Sequence, residues 1–404
     1  MSAYHYTARD KSGKLQEGLM TADTEKAVAV RLQQQGYVPV TIERRAAAGR
    51  LGRWWDRDTR IKASDLNIFT RLLFTLQKAG LPLLSSLNAL GAQTTNESLQ
   101  GTIKDLARDI ESGASLSAAL EKHPEVFSDL YISMVRSGET SGRLPEILER
   151  LAVLGEHDQK VRLRVKSAVK YPLMIVSGII LGFTIMVTLV IPRFQTVYGQ
   201  FMHALPLPTR VLLGINSLVV HSWWLIILLV ILGVYIFRNF TSTREGMRWL
   251  DRTKLKLPFF GSLLLKLSMS RFCRIMATLL RSGIPILQIL DLVSDTIGNI
   301  VVAETIDKIK KSVNEGSGMI APMRESGLFP AVVTQMVAAG EETGKMDDLL
   351  THVADYYDSE IDYTLDNFIS LIEPALIVIL GAGVLFMALG VFLPMWSLMD
   401  VFGK

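Results

Sequence analysis

The sequence predicts a mainly α-helical, polytopic membrane protein with two repeated cytoplasmic helical bundles, three transmembrane helices and a small N-terminal ββαβ appendage. Three observations carry this prediction: long uncharged apolar runs, a self-similarity at an offset of 202 to 203 residues, and a first segment whose periodicity is strand-like. Of 404 residues, 49% are hydrophobic and only 20% charged, against roughly 25% charged in soluble proteins. The mean hydropathy of +0.29 points the same way. A single cysteine, Cys273, excludes an intramolecular disulfide framework and a thiolate metal site. The net charge of +4 is spread too thinly to argue for nucleic acid.

The elements follow in order. Residues 1–45 form the appendage: Tyr4 to Ala8 and Leu15 to Ala22 flank Asp10-Lys11-Ser12-Gly13 as a hairpin, Thr24 to Gln35 is helical and Val38 to Ile42 extended. Met1 to Asp10 contains no apolar core of a cleavable signal peptide, so insertion is expected from internal segments. Residues 46–63 read as a linker, and its Trp54-Trp55 pair suits a partner surface or the membrane surface equally.

Residues 64–170 are the first bundle. Leu66, Phe69, Leu72, Leu73 and Leu76 lie on one helical face behind Ser64 as N-cap. Further amphipathic helices follow through Leu99 to Ile110, Phe127 to Met134 and Leu144 to Leu154, with shorter pieces at Leu83 to Leu90 and Ser115 to Leu120. Short connections favour antiparallel neighbours and hence a compact bundle.

Residues 171–192 are the first span: Pro172 to Ile191 carry no charge, and twenty residues at about 1.5 Å each cover about 30 Å of hydrocarbon. After a loop at 193–210, residues 211–237 form the second span, with Trp223, Trp224 and Tyr235 as interfacial anchors. Residues 238–370 are the second bundle, 371–396 the third span and 397–404 a tail. Arg162, Arg164, Lys166 and Lys170 precede span one, and Arg238, Arg244, Arg248 and Arg252 follow span two. The loop between holds only Arg193 and Arg210, so the positive-inside rule places both flanks in the cytoplasm. The third span is oriented by parity, which leaves the tail outside.

The repeat pairs Gly80 and Pro82 with Gly283 and Pro285 at an offset of 203. It pairs Gly138, Glu139 and Gly142 with Gly340, Glu341 and Gly344 at 202, along with Pro172 with Pro374 and Pro192 with Pro394. Each half is thus a helical segment feeding a span bounded by prolines. The glycines are expected at turns between helices.

Catalytic signatures are missing. Gly340 to Met346 resembles a phosphate-binding loop, but its glycines are too close together and no Ser or Thr follows Lys345. Its counterpart in the first half has Arg143 in place of the lysine. The six histidines show no metal-ligand spacing, and the Asp347-Asp348 and Asp355 to Asp366 acids read as solvated helix faces. The spans offer only Asn216, His221 and Glu373 near their ends, too little for a permeation path, so an oligomeric channel or transporter subunit is the secondary reading.

The Gly-x-Pro turns, the Gly-Glu-x-x-Gly turns and the proline-bounded spans, repeated together over nearly the whole chain, resemble the GspF/PilC family of inner-membrane platform proteins of type II secretion systems and type IV pili. The stretch Gly390 to Trp396 looks more like the platform of MSHA-type pili than that of type II secretion. The resemblance implies a homo-oligomeric bacterial inner-membrane scaffold with its N-terminus and both bundles in the cytoplasm and its C-terminus in the periplasm. The bundles would face a cytoplasmic hexameric ATPase. The membrane part would meet pilin or pseudopilin subunits and other inner-membrane assembly proteins. It implies no catalytic residue, metal or cofactor, so Gly80, Pro82, Gly138, Glu139, Gly142, Gly283, Pro285, Gly340, Glu341 and Gly344 carry over only as helix-packing turns. The sequence departs from twofold regularity where a basic stretch, Arg162 to Lys170, answers to an acidic one, Asp355 to Asp366.

Overall fold

The computed structural model describes residues 2–9, 15–22, 29, 32, 37–44, 61–190 and 207–402. The Asp10 to Gly13 turn, nearly all of Thr24 to Gln35, the Trp54-Trp55 linker, Pro192 and the loop after it lie outside the described residues. The chain divides into two units, Met1–Lys62 with Ala92–Thr102, and Ala63–Gly91 with Ile103–Lys404.

In the first unit, strands β1 (Ser2–Arg9), β2 (Leu15–Ala22) and β3 (Val38–Arg44) form an antiparallel sheet of order β2-β1-β3. Tyr6 stands opposite Gly18 on one side and Ile42 on the other. The β1–β3 register breaks between Thr7 and Ala8, where Pro39 pairs with Ala8. Proline cannot donate to a ladder, so it is tolerated on an edge strand at such an irregularity.

The helices, which apart from residues 92–102 belong to the second unit, are built twice. The first set is α1 (Ala63–Lys78), α2 (Leu83–Gln93), α3 (Glu97–Glu111), α4 (Leu116–Leu120), α5 (Asp129–Ser141) and α6 (Leu144–Ile185). Then come α7 (Leu207–Ser242) and α8 (Arg244–Lys256). The second set is α9 (Phe260–Arg281), α10 (Ile286–Thr296), α11 (Ile300–Asn314), α12 (Ile320–Ser326), α13 (Ala331–Thr343) and α14 (Met346–Phe402). Helix caps set the boundaries: Ser115 accepts from Ala118 N, Ser128 from Tyr131 N and Asn299 from Val301 N and Val302 N. Ser64 is not a cap. It lies in the first turn of α1 and its hydroxyl donates to Asp65, because the helix already starts at Ala63.

Each half has an aromatic centre at matching positions. Phe69 meets Phe127 at 6.3 Å, and Phe272 meets Phe329 at 5.2 Å between ring centroids. The rings are buried, and such pairs add about 0.5–1.5 kcal/mol beyond their area.

Bundle and span are not separate elements. Pro172 lies inside α6, and Pro374 and Pro394 lie inside α14, which continues to Phe402. The bundles and spans divided at 170/171 and 370/371 thus share one helix each, and α14 runs on past 396/397. Flanking turns on both sides hold the helical path around the one backbone hydrogen bond that each proline removes. Beyond Pro172 the side chains turn outward: Leu173, Met174, Ile180 and Leu181 are all exposed. Two helices, Leu144–Leu189 and Met346–Leu393, are long and apolar enough to cross a membrane, and a bent pair, Ile227–Ser242 with Arg244–Lys256, is the third candidate. That pair is bent by 101°, so α8 turns aside from the axis of α7. Gly390 lets α7 approach α14 closely. A Cβ there would sit 2.2 Å from Leu212 Cδ1, and Thr209 Oγ1 donates to Gly390 O at 2.9 Å.

Candidate functional site

The repeated motifs do two different jobs. At the Gly-x-Pro turns, Gly80 has φ +80° and Gly283 φ +74°. Leu81 N donates to Leu76 O at 3.1 Å and Ile284 N to Leu279 O at 3.3 Å, so both helices end in the same left-handed closure. The prolines then open the next helices: Pro82 O accepts from Ser86 N and Pro285 O from Ile289 N, each at 3.0 Å. Gly142 and Gly344 likewise cap α5 and α13 with φ +69° and +71°.

Gly138 and Gly340 correct the sequence expectation, because they lie inside α5 and α13 rather than at turns. Their role is close approach. A Cβ on Gly138 would be 2.9 Å from Ile147 Cγ1, and one on Gly340 would be 2.8 Å from Met346 Cα. The neighbouring acids reach across sequence. Glu139 accepts from Leu116 N and Ser117 N at the start of α4, and Glu341 accepts from Met319 N at 3.1 Å just before α12. A carboxylate there satisfies orphan N–H groups and the helix dipole. Lys345 follows the cap of one helix and its carbonyl accepts from Leu349 N, so the segment around it is a helix-to-helix turn. The buried thiol of Cys273 is pushed up by burial and is inert at neutral pH.

A polar seam joins the two halves. Ser137 Oγ donates to Ser282 O at 3.1 Å and Arg150 Nη1 to Ser282 Oγ at 2.9 Å, so the Gly-x-Pro turn of the second half docks against α5 and α6 of the first. Farther along α6, His157 Nε2 lies 2.7 Å from Asp358 Oδ2. Asp358 also accepts from Ser270 Oγ at 2.6 Å and pairs with Arg274, which reaches Asp355 at 2.9 Å. Burial alone would raise the Asp358 carboxyl. Hydrogen bonds from His157 and Ser270 and the charges of His157 and Arg274 outweigh it and hold the group below the usual carboxylate range. Next on the seam, Arg164 pairs with Asp362, and an apolar cluster of Ala168, Leu263, Ile361 and Leu365 closes it.

Most of the acids before the third span are paired across helices while staying open to water, Asp348 at 62% and Asp355 at 59% exposure. Asp347 and Asp348 bind Arg281, and Asp355, Asp358 and Asp362 bind arginine or histidine on other helices. The basic and acidic stretches that look like broken symmetry in the sequence meet in space at one pair, Arg164 with Asp362. Arg164 and the Asp355 to Asp366 stretch stand out in the sequence as charge, but not as partners across a seam. Arg71 and Glu156 pair at 2.9 Å, and the repeat offsets carry them onto Arg274 and Asp358, so extending the repeat to polar positions was the available signal.

These features define a duplicated, membrane-anchored helical scaffold whose halves are locked at a polar seam. The chain belongs to the type II secretion system protein F family: that family's sequence pattern matches residues 69–192 and again 272–394, and its N-terminal domain matches 1–43. The two matched stretches begin 203 residues apart and end 202 apart, the offsets of the internal repeat. A type IV pilus assembly protein PilC from Thermus thermophilus is 35% identical over 98% of both chains. PilC from Pseudomonas aeruginosa is 32% identical over 93% of this chain and 100% of its own length. The type II secretion system protein F of the same organism is 30% identical over 100% of each.

Proposed function

We propose that this protein is a non-enzymatic inner-membrane platform of a type IV pilus or type II secretion assembly machine. It couples a cytoplasmic ATPase to insertion of pilin or pseudopilin subunits into the growing fibre. The observation that carries the proposal is helix continuity. Residues that pack the first bundle, such as Leu148 and Leu151, and residues exposed along the apolar run, such as Ile180, belong to the same 42-residue helix α6. The 57-residue α14 does the same for the second bundle. At about 1.5 Å per residue these are rods of about 63 and 85 Å. A push on either bundle reaches the bilayer without passing a hinge, and the seam makes the rods move together.

On this reading three spans cross the membrane, the N-terminal residues form the ββαβ module, the bundles and N-terminus are cytoplasmic, and the platform works as a homo-oligomer beside other inner-membrane assembly proteins. The motif glycines and acids hold bundle geometry and carry no chemistry. The stretch Gly390 to Trp396 favours an MSHA-type pilus as the setting.

The test inserts three glycines between Lys170 and Tyr171 in the full chain. Capture of a hexameric ATPase and pilin-like proteins from solubilised membranes is expected from both forms, with fibre assembly lost only in the insertion variant. Undiminished assembly after the insertion sinks the rod mechanism. Absence of both partners from the unaltered chain sinks the platform reading.

A further inference from the structure

The two sides of α6 differ in how their charge is answered. On one side Arg164 pairs with Asp362, and the groove there also contains Glu156 and Asp366. On the other side a cavity of about 620 Å³ lies between α6, α8, α9 and the start of α11, and Arg162, Lys166 and Lys170 line it at successive helical turns. All three are exposed, and none has an ion pair or hydrogen bond among the described residues. The acids in the cavity are already taken. Asp251 accepts from Lys254 at 2.9 Å and from Ile300 N at 3.0 Å, while Asp158 faces Arg271 at 4.0 Å. Three uncompensated cations thus stand together.

Their apolar neighbours are ordered along the same helix. Val165 and Val169 line the cavity beside the lysines, and Leu173, 63% exposed, lies at its end where the uncharged run begins. Helix α8 contributes Lys254 to the cavity and leaves α7 at 101°, so it runs along the membrane surface if α7 crosses the bilayer. Its Met247 and Trp249 are exposed, at 43% and 58%, as for an amphipathic helix resting at an interface. Cations at one level and aliphatic side chains immediately beyond match a ligand that carries a phosphate joined to a hydrocarbon tail. A free phosphate has no use for the second feature.

We propose that this groove is a binding site for one anionic phospholipid, with its phosphate held by Arg162, Lys166 and Lys170 and its acyl chain lying along Val169 and Leu173. The site needs α6 to cross the bilayer but not any partner of the platform, so it stands or falls independently of the assembly function. Basic pockets between membrane helices recognise anionic headgroups in this way, each nearby cation contributing a factor of about five in affinity.

The test uses the full chain in nanodiscs of phosphatidylcholine doped with phosphatidylglycerol, with native mass spectrometry reading the lipids retained on the protein. The unaltered protein is expected to enrich phosphatidylglycerol. The triple variant Arg162→Gln, Lys166→Gln, Lys170→Gln is expected to weaken retention about a hundredfold. A control removing the same charge elsewhere, Lys104→Gln, Lys308→Gln, Lys311→Gln, retains it. Lys170→Gln alone, expected to lose about fivefold, carries the test if the triple variant does not fold. Undiminished enrichment in the Lys170 and triple variants overturns the site. Displacement of the lipid by excess inorganic phosphate overturns the lipid as its occupant.

Discussion

Arg71 with Glu156 and Arg274 with Asp358 are the same ion pair built twice, once in each half, and they live in different surroundings. The first pair is open to water, with both side chains 45% exposed, whereas the second has 18% and 24% exposure. The cause is α6, whose His157 covers Asp358 and binds it. Among the described residues no helix covers Glu156 in the same way, and Asn67 donates instead to Gly155 O and Gln159 Oε1 on α6. Duplication supplied two equivalent arginine–carboxylate struts, one through Glu156 and one through Asp358. Packing one half on the other converted a surface pair into a seam, where losing a partner strands a charge.

The largest expected effect breaks that comparison directly. Arg274→Ala should destabilise the detergent-solubilised protein by about 3 kcal/mol, while Arg71→Ala costs about 1 kcal/mol or less. Equal losses in thermal unfolding would mean the seam is no more than surface. Next come the close-approach glycines. Gly340→Ala meets Met346 Cα at 2.8 Å and Gly138→Ala meets Ile147 Cβ at 3.0 Å and Leu144 Cα at 3.2 Å, so each should cost about 2–3 kcal/mol. Gly344→Val should cost about 1–2 kcal/mol, because φ +71° is a left-handed position that valine strains to adopt. A mutant as stable as the parent rules out the turn role.

Acid sharpens the comparison further. The Asp358 carboxyl titrates below its unfolded value, so its contribution is complete above about pH 4 and is lost as pH falls through the lower folded value. Asp358→Asn should flatten that part of the acid-unfolding curve, whereas an unchanged slope would assign the acid sensitivity to other carboxylates. The smallest effects belong to the cross-sequence caps. Glu139→Gln should cost about 1 kcal/mol and Glu341→Gln somewhat less, since Glu139 serves two backbone donors and Glu341 one. Hydrogen exchange at Leu116 and Met319 checks the order.

Several of these residues show why sequence reading stops where it does. Gly142 and Gly344 end helices through local backbone conformation, which neighbouring residues announce. Gly138 and Gly340 sit four residues earlier, yet what they need is an absent Cβ opposite a helix that returns after them, and periodicity does not report that distance. Glu139 looks like one more exposed acid until the start of α4, more than twenty residues upstream, is brought beneath it. Pro172 looks like a boundary, and only the flanking turns of α6 show the helix running through it.

By itself the sequence determined the membrane-apolar runs, the duplication and the left-handed helix ends, because each depends on composition or on torsions within a few residues. Tertiary structure alone decided that bundle and span are one rod, that Arg164 of the basic stretch pairs with Asp362 of the acidic one, and that one cationic face of α6 is left unanswered. Coulomb interactions and burial depend on distance in space, and folding brings together charges about two hundred residues apart.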